Sequence, residues 1–171
     1  MIASVKQNGG FYVSRYEMGI ENGNAVSKIA IKPTSANDDA TKMWYGLYKK
    51  AKTYTNSKNS VISSMIWGSQ YDAMLNYALS SGSDGTKVTS TENGNHSGSL
   101  MKTGLARSDS INNVYDLEAN MAEATLEACS EATRTTRGAY FGYNSSPSRR
   151  YAYNPDVFSY GDSCHFSMYI R

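Results

Sequence analysis

Residues 61–79, VISSMIWGSQYDAMLNYAL, combine a buried segment with the pattern of a helix. Val61–Met65 is predicted to be a short buried segment. After it, Ser69 is a favourable N-cap for a helix that we predict over residues 70–79. The apolar residues that would face the core recur at helical spacing: Tyr71, Met74, Leu75 and Ala78. The stretch therefore predicts a short buried segment followed by an amphipathic helix.

The residues upstream predict two strands and one more helix. Residues 10–19, GFYVSRYEMG, alternate aromatic or apolar with polar side chains, as a strand does, and a second short strand fits residues 26–31. A helix is expected to start after a cap at Ser35 or Asn37. The apolar face of that helix would consist of Met43, Trp44, Leu47, Tyr48 and Ala51.

The residues downstream predict loops and strands around one further helix. Residues 80–99 are polar and predict a long surface loop. Residues 114–128, VYDLEANMAEATLEA, predict a helix by propensity alone, because Ala, Leu, Met and Glu dominate. Residues 167–171, SMYIR, alternate as a closing strand does. Strands at the start, helices in the middle and a loop-rich β region at the end predict a single α+β domain over residues 1–171.

Charge and hydropathy argue against two classes of partner. The formal net charge is +2 and the basic residues are dispersed, so the sequence has no basic stripe for nucleic acid. No apolar stretch approaches the roughly 20 residues of a transmembrane helix. The first residues, MIASVKQNGG, lack the basic and apolar regions of a signal peptide. We therefore predict no binding to nucleic acid and no membrane span.

The sequence lacks the common motifs of catalysis and metal binding. It has no phosphate-binding glycine loop, no nucleophile elbow, no HExxH and no EF-hand pattern. Cys129 and Cys164 have no CxxC spacing and fit either one disulfide or two buried free thiols. His96 and His165 are isolated, which disfavours a metal site. We expect no cofactor and no metal.

The Tyr-rich segment, residues 137–171, has the most unusual composition in the chain. It contains six tyrosines and three phenylalanines among many Ser, Asn, Gly and Arg residues, and it has neither lysine nor glutamate. Tyrosine gives rigid contact area at low entropic cost, while small polar residues adapt their hydrogen bonds to a partner. The composition alone fits a binding surface and a Tyr-rich core of short strands equally well.

Four motifs together resemble one known family. They are GGFYVSRYEMG at 9–19, SSMIWGSQYDAMLNYAL at 63–79, NNVYDLEANMAEA at 112–124 and TTRGAYFG at 135–142. Their order is similar to that in the formylglycine-generating enzyme (sulfatase-modifying factor) family. The resemblance implies that family's variant of the C-type lectin fold over nearly the whole chain. It also implies that residues 120–124 form a turn into a core strand, in place of the helix that propensity predicts.

The same resemblance implies that the chain is not an enzyme. Oxidising members of the family bind copper through a cysteine pair in the segment that matches residues 141–148, and this chain has FGYNSSPS there. The iron-dependent sulfoxide synthases of the family need three histidines, and only His96 and His165 are present. Both known chemistries of the family thus lack their ligands.

Another group with this fold serves only in binding. These are the variable proteins of diversity-generating retroelements, in which the C-terminal part of the lectin-like domain is diversified. Residues 137–165 resemble such a region in their position, in following an Arg-Gly pair, and in mixing aromatic and small polar residues. The resemblance implies a protein or glycan receptor on a cell surface as partner, and a phage tail or a bacterial surface as the location.

The predicted contact residues all lie within residues 137–165. They are Tyr140, Phe141, Tyr143, Asn144, Ser146, Arg149, Tyr151, Tyr153, Asn154, Val157, Phe158, Tyr160, Asp162 and His165. Some of them must belong to the core, because a small domain cannot expose all its aromatic side chains. Two alternatives stay open: a relative of the oxidising enzymes that uses Cys129 or Cys164, and a structural tail or fibre subunit whose Tyr-rich surface joins copies of the chain.

Overall fold

The computed structural model describes residues 2–39, 43–56, 58–80, 84–106, 110–158 and 161–170. Helices and short strands occur together in them, which confirms the α+β class. The helices are α1 (Ile2–Asn8), α2 (Met43–Ala51) and α3 (Gly68–Ser80), and 3₁₀ turns occur at Ala36–Asp39, Gly85–Val88 and Pro155–Val157. The strands are β1 (Tyr12–Val13), β2 (Gly19–Glu21), β3 (Asn24–Val26), β4 (Val61–Met65), β5 (Ala122–Ser130), β6 (Thr133–Arg137), β7 (Arg150–Tyr153), β8 (Asp162–Ser163) and β9 (Phe166–Ile170).

The first sheet joins the two ends of the described chain. Strand β9 lies between β1 and β4 and is antiparallel to both, with Tyr12 opposite Met168 and Met65 opposite Phe166. The predicted closing strand is therefore confirmed as β9, and the segment Val61–Met65, predicted only to be buried, is the neighbouring strand β4. Side chains on successive strand residues point to opposite faces, so the buried Met65 and Phe166 share the core face.

The second sheet has the order β7-β6-β5-β8. Strands β5 and β6 form a long antiparallel hairpin, and β7 pairs antiparallel with β6. The short strand β8 runs parallel to β5, with Asp162 opposite Ala122. The Tyr-rich segment thus leaves the sheet after β6, returns as β7, and returns again on the far side of β5 as β8.

Helices α2 and α3 each cover part of the core. Trp44 and Leu47 of α2 pack in one cluster with Phe158 and Phe166, while Tyr71 and other residues of α3 belong to a second cluster. The indole N–H of Trp44 donates to the Thr125 carbonyl at 3.0 Å, so its polar atom stays satisfied inside the core. Burying one side chain such as Leu47 stabilises the fold by roughly 1.5–3 kcal/mol.

Helix α3 agrees closely with the sequence-based prediction, while α2 is shorter than expected. Helix α3 begins at Gly68, so Ser69 lies inside it, and the Trp67 amide donates to the Gln70 side chain instead. Ser35 and Asn37 precede or enter a 3₁₀ turn, and the α-helix itself is described only from Met43. Among the helices of the described residues, none has the length and apolarity to span a membrane.

Both strands predicted near the N-terminus are too long. Only Tyr12–Val13 of residues 10–19 pairs as β1, because the chain then turns inward and buries Glu17. The carboxylate of Glu17 accepts hydrogen bonds from the Met121 amide at 2.9 Å and from Asn120 Nδ2 at 2.7 Å. Residues 26–31 contribute only the end of β3, because Ala30 has a positive φ of 62° in a turn.

The helix predicted by propensity over residues 114–128 is wrong. Residues 122–130 form β5, as the family resemblance implied, and the preceding residues are irregular. Asp116 (φ 63°) and Asn120 (φ 93°) have left-handed backbone conformations that a helix cannot contain. The alanines Ala122 and Ala124 are buried between neighbouring strands, so tertiary packing overrides their helix propensity.

Candidate functional site

An open pocket of about 300 Å³ lies where the Tyr-rich segment folds over the second sheet. Its floor comes from β5, β6 and the Gly138–Ala139 turn, and its walls come from the aromatic residues that follow. The lining residues are Ala122, Thr136, Gly138, Ala139, Tyr140, Tyr143, Tyr151, Tyr153, Val157, Gly161 and Asp162. Small residues on the floor leave the space that the large side chains enclose.

The β6–β7 pairing sets one wall of the pocket. Tyr151 lies opposite Thr136, and Tyr153 lies opposite Arg134. Because side chains alternate along a strand, Tyr151 and Tyr153 point to the same face, with Ala152 between them on the other. Their rings are inclined to each other by 28°, with centroids 6.2 Å apart. Strand geometry alone therefore places two of the predicted contact tyrosines side by side.

Tyr140 and Tyr143 extend this wall into a continuous aromatic row. The Tyr143 ring meets the Tyr151 ring edge-on at 6.4 Å, and it stacks on Tyr140 with a centroid distance of 6.5 Å. At the other end, Tyr153 contacts Phe158 at 6.1 Å. Edge-on and offset contacts at such distances are the favourable arrangements of aromatic rings. The row is thus preorganised by its own contacts.

Glycines fix the position of Tyr140. A Cβ at Gly142 would lie 2.7 Å from Cε2 of Tyr140, and a Cβ at Gly161 would lie 3.1 Å from its Cβ. A side chain at either position would therefore crowd Tyr140, and the two glycines let Tyr140 pack close to the backbone. The Tyr143 amide also donates to the Tyr140 carbonyl at 2.9 Å, which closes the turn between the two tyrosines.

Arg149 covers the outer side of the aromatic row. Its guanidinium carbon lies 4.2 Å from the centroid of Tyr151 and 5.3 Å from that of Tyr143, within the range of a cation–π contact. Its Nη1 donates to the Tyr143 hydroxyl at 3.3 Å. Hydrogen bonding with Tyr151 and the guanidinium of Arg149 lower the pKa of the Tyr143 hydroxyl below its usual range.

Two further hydroxyls of the wall have pKa values above the usual range. Burial raises the pKa of Tyr151. Burial also raises the pKa of Tyr153, and the negative charge of Asp162 raises it further. The pKa of Tyr143 thus moves in the opposite direction to the pKa values of Tyr151 and Tyr153.

An ionic cluster around the buried Arg137 lies beside the sheet that carries the pocket. Arg137, at the end of β6, is almost fully buried, and its Nη2 lies 2.8 Å from Oδ1 of Asp72 on α3. Its Nη1 lies 3.6 Å from Oε2 of Glu127, and its guanidinium lies 4.7 Å from the Tyr71 ring. Arg150 of β7 pairs with the same two carboxylates. The cluster thus ties α3, β5, β6 and β7 together behind the aromatic row.

A second polar network holds the long polar loop against the site. The side-chain oxygen of Asn120 accepts hydrogen bonds from Asn95 Nδ2 and from the Met101 amide, both at 2.9 Å. The carbonyl of Asn120 accepts from the Phe141 amide at 3.0 Å. Residues 84–99 contain only the 3₁₀ turn Gly85–Val88 as regular structure, which confirms the loop prediction for this part. Residues 81–83 lie outside the described part.

Six of the predicted contact residues line the pocket: Tyr140, Tyr143, Tyr151, Tyr153, Val157 and Asp162. Beside it, Asn144, Arg149 and Asn154 are exposed, while Phe141 and Ser146 are half-buried. Tyr160 lies outside the described residues. The structure thus brings six of the predicted residues to one pocket, although they span more than twenty positions of sequence.

Two predicted contact residues are wrong. Phe158 is only 2% exposed and packs in the core beside Trp44 and Phe166. His165 is fully buried, its Nε2 lies 3.1 Å from the Tyr115 carbonyl, and burial lowers its pKa to about 4. Both residues stabilise the fold and offer no surface to a ligand. Composition could not separate them from their exposed neighbours.

Sequence reasoning also missed the floor of the pocket. Ala122 and Thr136 come from β5 and β6, which have no unusual composition. Gly138 has a φ of 68°, and a Cβ there would lie 2.5 Å from the Leu117 carbonyl oxygen. The Arg-Gly pair at residues 137–138 was the available clue, because only glycine fits this turn.

The cysteines do not contribute to the pocket. Both are free thiols: Cys129 is exposed on the β5–β6 hairpin, and Cys164 is buried. The disulfide alternative is therefore wrong, and so is the expectation that Cys129 is buried. Burial, together with the charges of Glu123 and Glu17, raises the pKa of the Cys164 thiol. Within the described residues, no three His, Cys, Asp or Glu side chains gather as they would to hold a metal.

The sequence matches no protein family model and no curated protein. Among solved structures, the chain is similar to one described as the crystal structure of CarF, with 16% sequence identity and a TM-score of 0.47. The similarity covers 82% of this chain and 60% of that chain, so this chain spans less than two thirds of the other. A likeness this distant assigns neither a fold family nor a function.

Proposed function

We propose that this chain is a non-catalytic binding domain whose Tyr-rich face, centred on the pocket, contacts a protein or glycan receptor. The observation that carries the proposal is the gathering of Tyr140, Tyr143, Tyr151 and Tyr153 around one open pocket. Open concave sites with aromatic walls and a few polar groups are the usual form of ligand sites. Tyrosine is also among the residues that most often dominate binding energy.

Exposure of the rings supports binding over a role in the core. Tyr143 and Tyr153 are 46% and 41% exposed, although each contacts further aromatic rings. Side chains that are held rigid before binding lose little entropy when a partner arrives. Arg149 lies over the Tyr151 ring, and Asn144 and Asn154, which follow Tyr143 and Tyr153 in sequence, are exposed. These three residues would supply polar contacts at the rim.

The family part of the proposal is a C-type lectin-like fold of the formylglycine-generating type, used as in the variable proteins of diversity-generating retroelements. It is supported by the motif order, by the strand at residues 122–130 that the resemblance implied, and by the position of the contact residues. Such a protein belongs on a phage tail or a bacterial surface.

Receptor binding can be tested with a defined set of probes. The labelled protein is applied to a printed array of bacterial and host glycans and to a panel of whole bacterial strains. The double variant Tyr143→Ala, Tyr153→Ala should lose at least tenfold of any binding, because it removes two exposed rings of the wall. Tyr77→Ala is the matched control, since Tyr77 is exposed on α3 and does not line the pocket. Equal binding by the double variant and the wild type, or no binding to any probe, contradicts the proposal.

The retroelement origin has its own test in the flanking DNA. The proposal expects a near-copy of the 3′ coding region beside a reverse transcriptase gene, with the two copies differing mainly at adenines. The differing codons should fall on lining or rim positions such as Tyr143, Tyr153 and Asn154, and should spare the buried Phe158 and His165. A locus without such a copy would favour an ordinary adhesin.

The absence of catalysis is tested by a copper-dependent oxidase assay on a cysteine-containing peptide. The proposal expects no turnover above that of the Cys164→Ser variant. Cys164 is fully buried and Cys129 lies on the hairpin, so neither thiol faces the pocket. Turnover by the wild type that disappears in Cys164→Ser would overturn the non-catalytic assignment.

A further inference from the structure

Four tyrosine rings in one row line the pocket. Tyr140, Tyr143, Tyr151 and Tyr153 all belong to this row, and its consecutive rings lie 6.2–6.5 Å apart. The face of an aromatic ring is electronegative, so a positive group that lies over the face of one of these rings is attracted to it. A neutral apolar group would be stabilised only by its contact area with the same rings.

The formal charge of the lining residues also favours a positive group. Among the described lining residues, Asp162 is the one with a formal charge at neutral pH. Only 9% of Asp162 is exposed, so its field in the pocket is weakened less by water than that of a surface carboxylate. Asp162 lines the same pocket as the four tyrosines, so a cation in the pocket would lie near its carboxylate.

The chain itself provides one example of a cation on these rings. The guanidinium of Arg149 lies over Tyr151 and Tyr143 on their outer side, and Arg149 is not a lining residue. The charge of Arg149 opposes a second cation nearby. Because Arg149 is exposed, however, water and salt screen its charge more strongly than that of Asp162.

We propose that the pocket binds an alkylammonium group of the receptor, held between the tyrosine rings and the carboxylate of Asp162. The inference deepens the proposed function and rests on it. Two sources carry this chemistry: a quaternary ammonium, as in choline headgroups, and the side chain of a lysine on a protein surface. Ring walls favour the quaternary form, while the carboxylate favours either form.

The test compares each cation with a neutral molecule of the same shape. Choline is titrated against 3,3-dimethyl-1-butanol, and Nα-acetyl-lysine methylamide against its Nε-acetyl derivative, with amide and tyrosine ring NMR shifts of the whole chain as readout. At least one cation should bind about threefold to thirtyfold more tightly than its neutral partner, and the shifts should centre on the lining tyrosines. The pair that shows the preference identifies the source.

Two variants separate charge from shape. Asp162→Asn should weaken cation binding severalfold and leave the neutral molecules unchanged, and Glu131→Gln, in the exposed β5–β6 turn, is the control for net charge. Tyr153→Leu should weaken the cations alone, because it keeps apolar bulk and removes a ring face. If Asp162→Asn fails to fold, Tyr153→Leu still decides the question.

The outcomes distinguish this inference from the proposed function. Equal binding of cations and neutral molecules, or preferential binding of an uncharged methyl hexoside, overturns the ammonium site but leaves a ligand-binding pocket. If none of these molecules binds, the ammonium site is also overturned. Receptor binding is then still tested by the glycan array and the strain panel, with the variant in which Tyr143 and Tyr153 are replaced.

Discussion

The guanidinium of Arg137 lies 2.8 Å from the carboxylate of Asp72, which joins the start of the Tyr-rich segment to helix α3. Arg137 is 1% exposed, whereas Asp72 is partly open to solvent. A charged side chain at such depth needs its partners, because an unpaired buried charge is strongly destabilising. The sheet that carries the pocket therefore depends on a helix more than sixty residues away in sequence.

Asp72→Ala should lower the free energy of unfolding by about 2–3 kcal/mol, because it removes the closest partner of Arg137 and leaves only Glu127. Urea denaturation followed by circular dichroism measures the change. Glu21→Ala is the control, since it breaks the exposed Lys28–Glu21 pair and should cost less than about 1 kcal/mol. Equal losses in the two variants would show that burial of Arg137 does not depend on Asp72.

Gly138→Ala should lower the stability of the fold much more than Gly98→Ala. Both glycines have positive φ, 68° and 78°, so both variants carry a backbone strain of about 1 kcal/mol. At Gly138, however, the new Cβ would meet the Leu117 carbonyl oxygen at 2.5 Å, while nothing lies within 4 Å at Gly98. The difference between the two melting temperatures measures the clash, and similar values would argue against the tight turn under the pocket.

Asp116→Asn should become relatively more stable as pH rises. Burial raises the pKa of Asp116 to about 7, although its Oδ2 accepts a hydrogen bond from the Gly104 amide. The native carboxyl therefore holds its proton more tightly than the unfolded one, and its contribution to stability is lost between about pH 4 and pH 7. Asparagine keeps the acceptor and tolerates the φ of 63°.

Because asparagine does not titrate, the free energy of unfolding of Asp116→Asn relative to wild type should rise by as much as about 4 kcal/mol over that range. Denaturation of both proteins at pH 4.5 and pH 7.5 measures this. A difference that does not change with pH would mean that Asp116 is ionised in the native state.

His165→Gln should reduce the loss of stability at acidic pH. Burial lowers the pKa of His165 to about 4, so the unfolded chain takes up a proton near pH 6.5 while the native state does not. Stability from this group is complete above about pH 6.5 and is lost on acidification, by about 3 kcal/mol at most. Between pH 7 and pH 4, the free energy of unfolding of the variant should fall by that much less than that of the wild type. An equal fall in both proteins would contradict the prediction. Asp116 acts in the opposite direction over this range, so each effect is visible only as a difference between variant and wild type.

Thiol labelling should distinguish the two cysteines by their rates of reaction. Cys129 is exposed and should react with iodoacetamide in the native protein within minutes, whereas the buried Cys164 should react only when the domain unfolds. Peptide mass spectrometry of the labelled protein identifies the site. Labelling of Cys164 at the rate of Cys129 in native buffer would show that the core around β9 opens readily.

Local sequence patterns predicted some elements well. They failed where backbone groups form hydrogen bonds with buried polar side chains. Helix α3 follows from side-chain periodicity, because one of its faces is apolar. Strand β1 is short because Glu17 turns inward to bind the backbone and side chain of residues 120–121. No local pattern shows that a carboxylate at position 17 will be buried by residues a hundred positions later.

The sequence by itself determined the α+β class, the helix after β4 and the closing strand, and it directed the search for a binding surface to residues 137–165. These follow from periodicity and composition, which act over a few residues at a time. Only the tertiary structure decided that Tyr140, Tyr143, Tyr151 and Tyr153 surround one pocket while Phe158 and His165 enter the core. The reason is that strand register and the glycine turns, together with the Arg137 cluster, set which face each side chain reaches. These are contacts between distant segments, and the composition of one segment does not contain them.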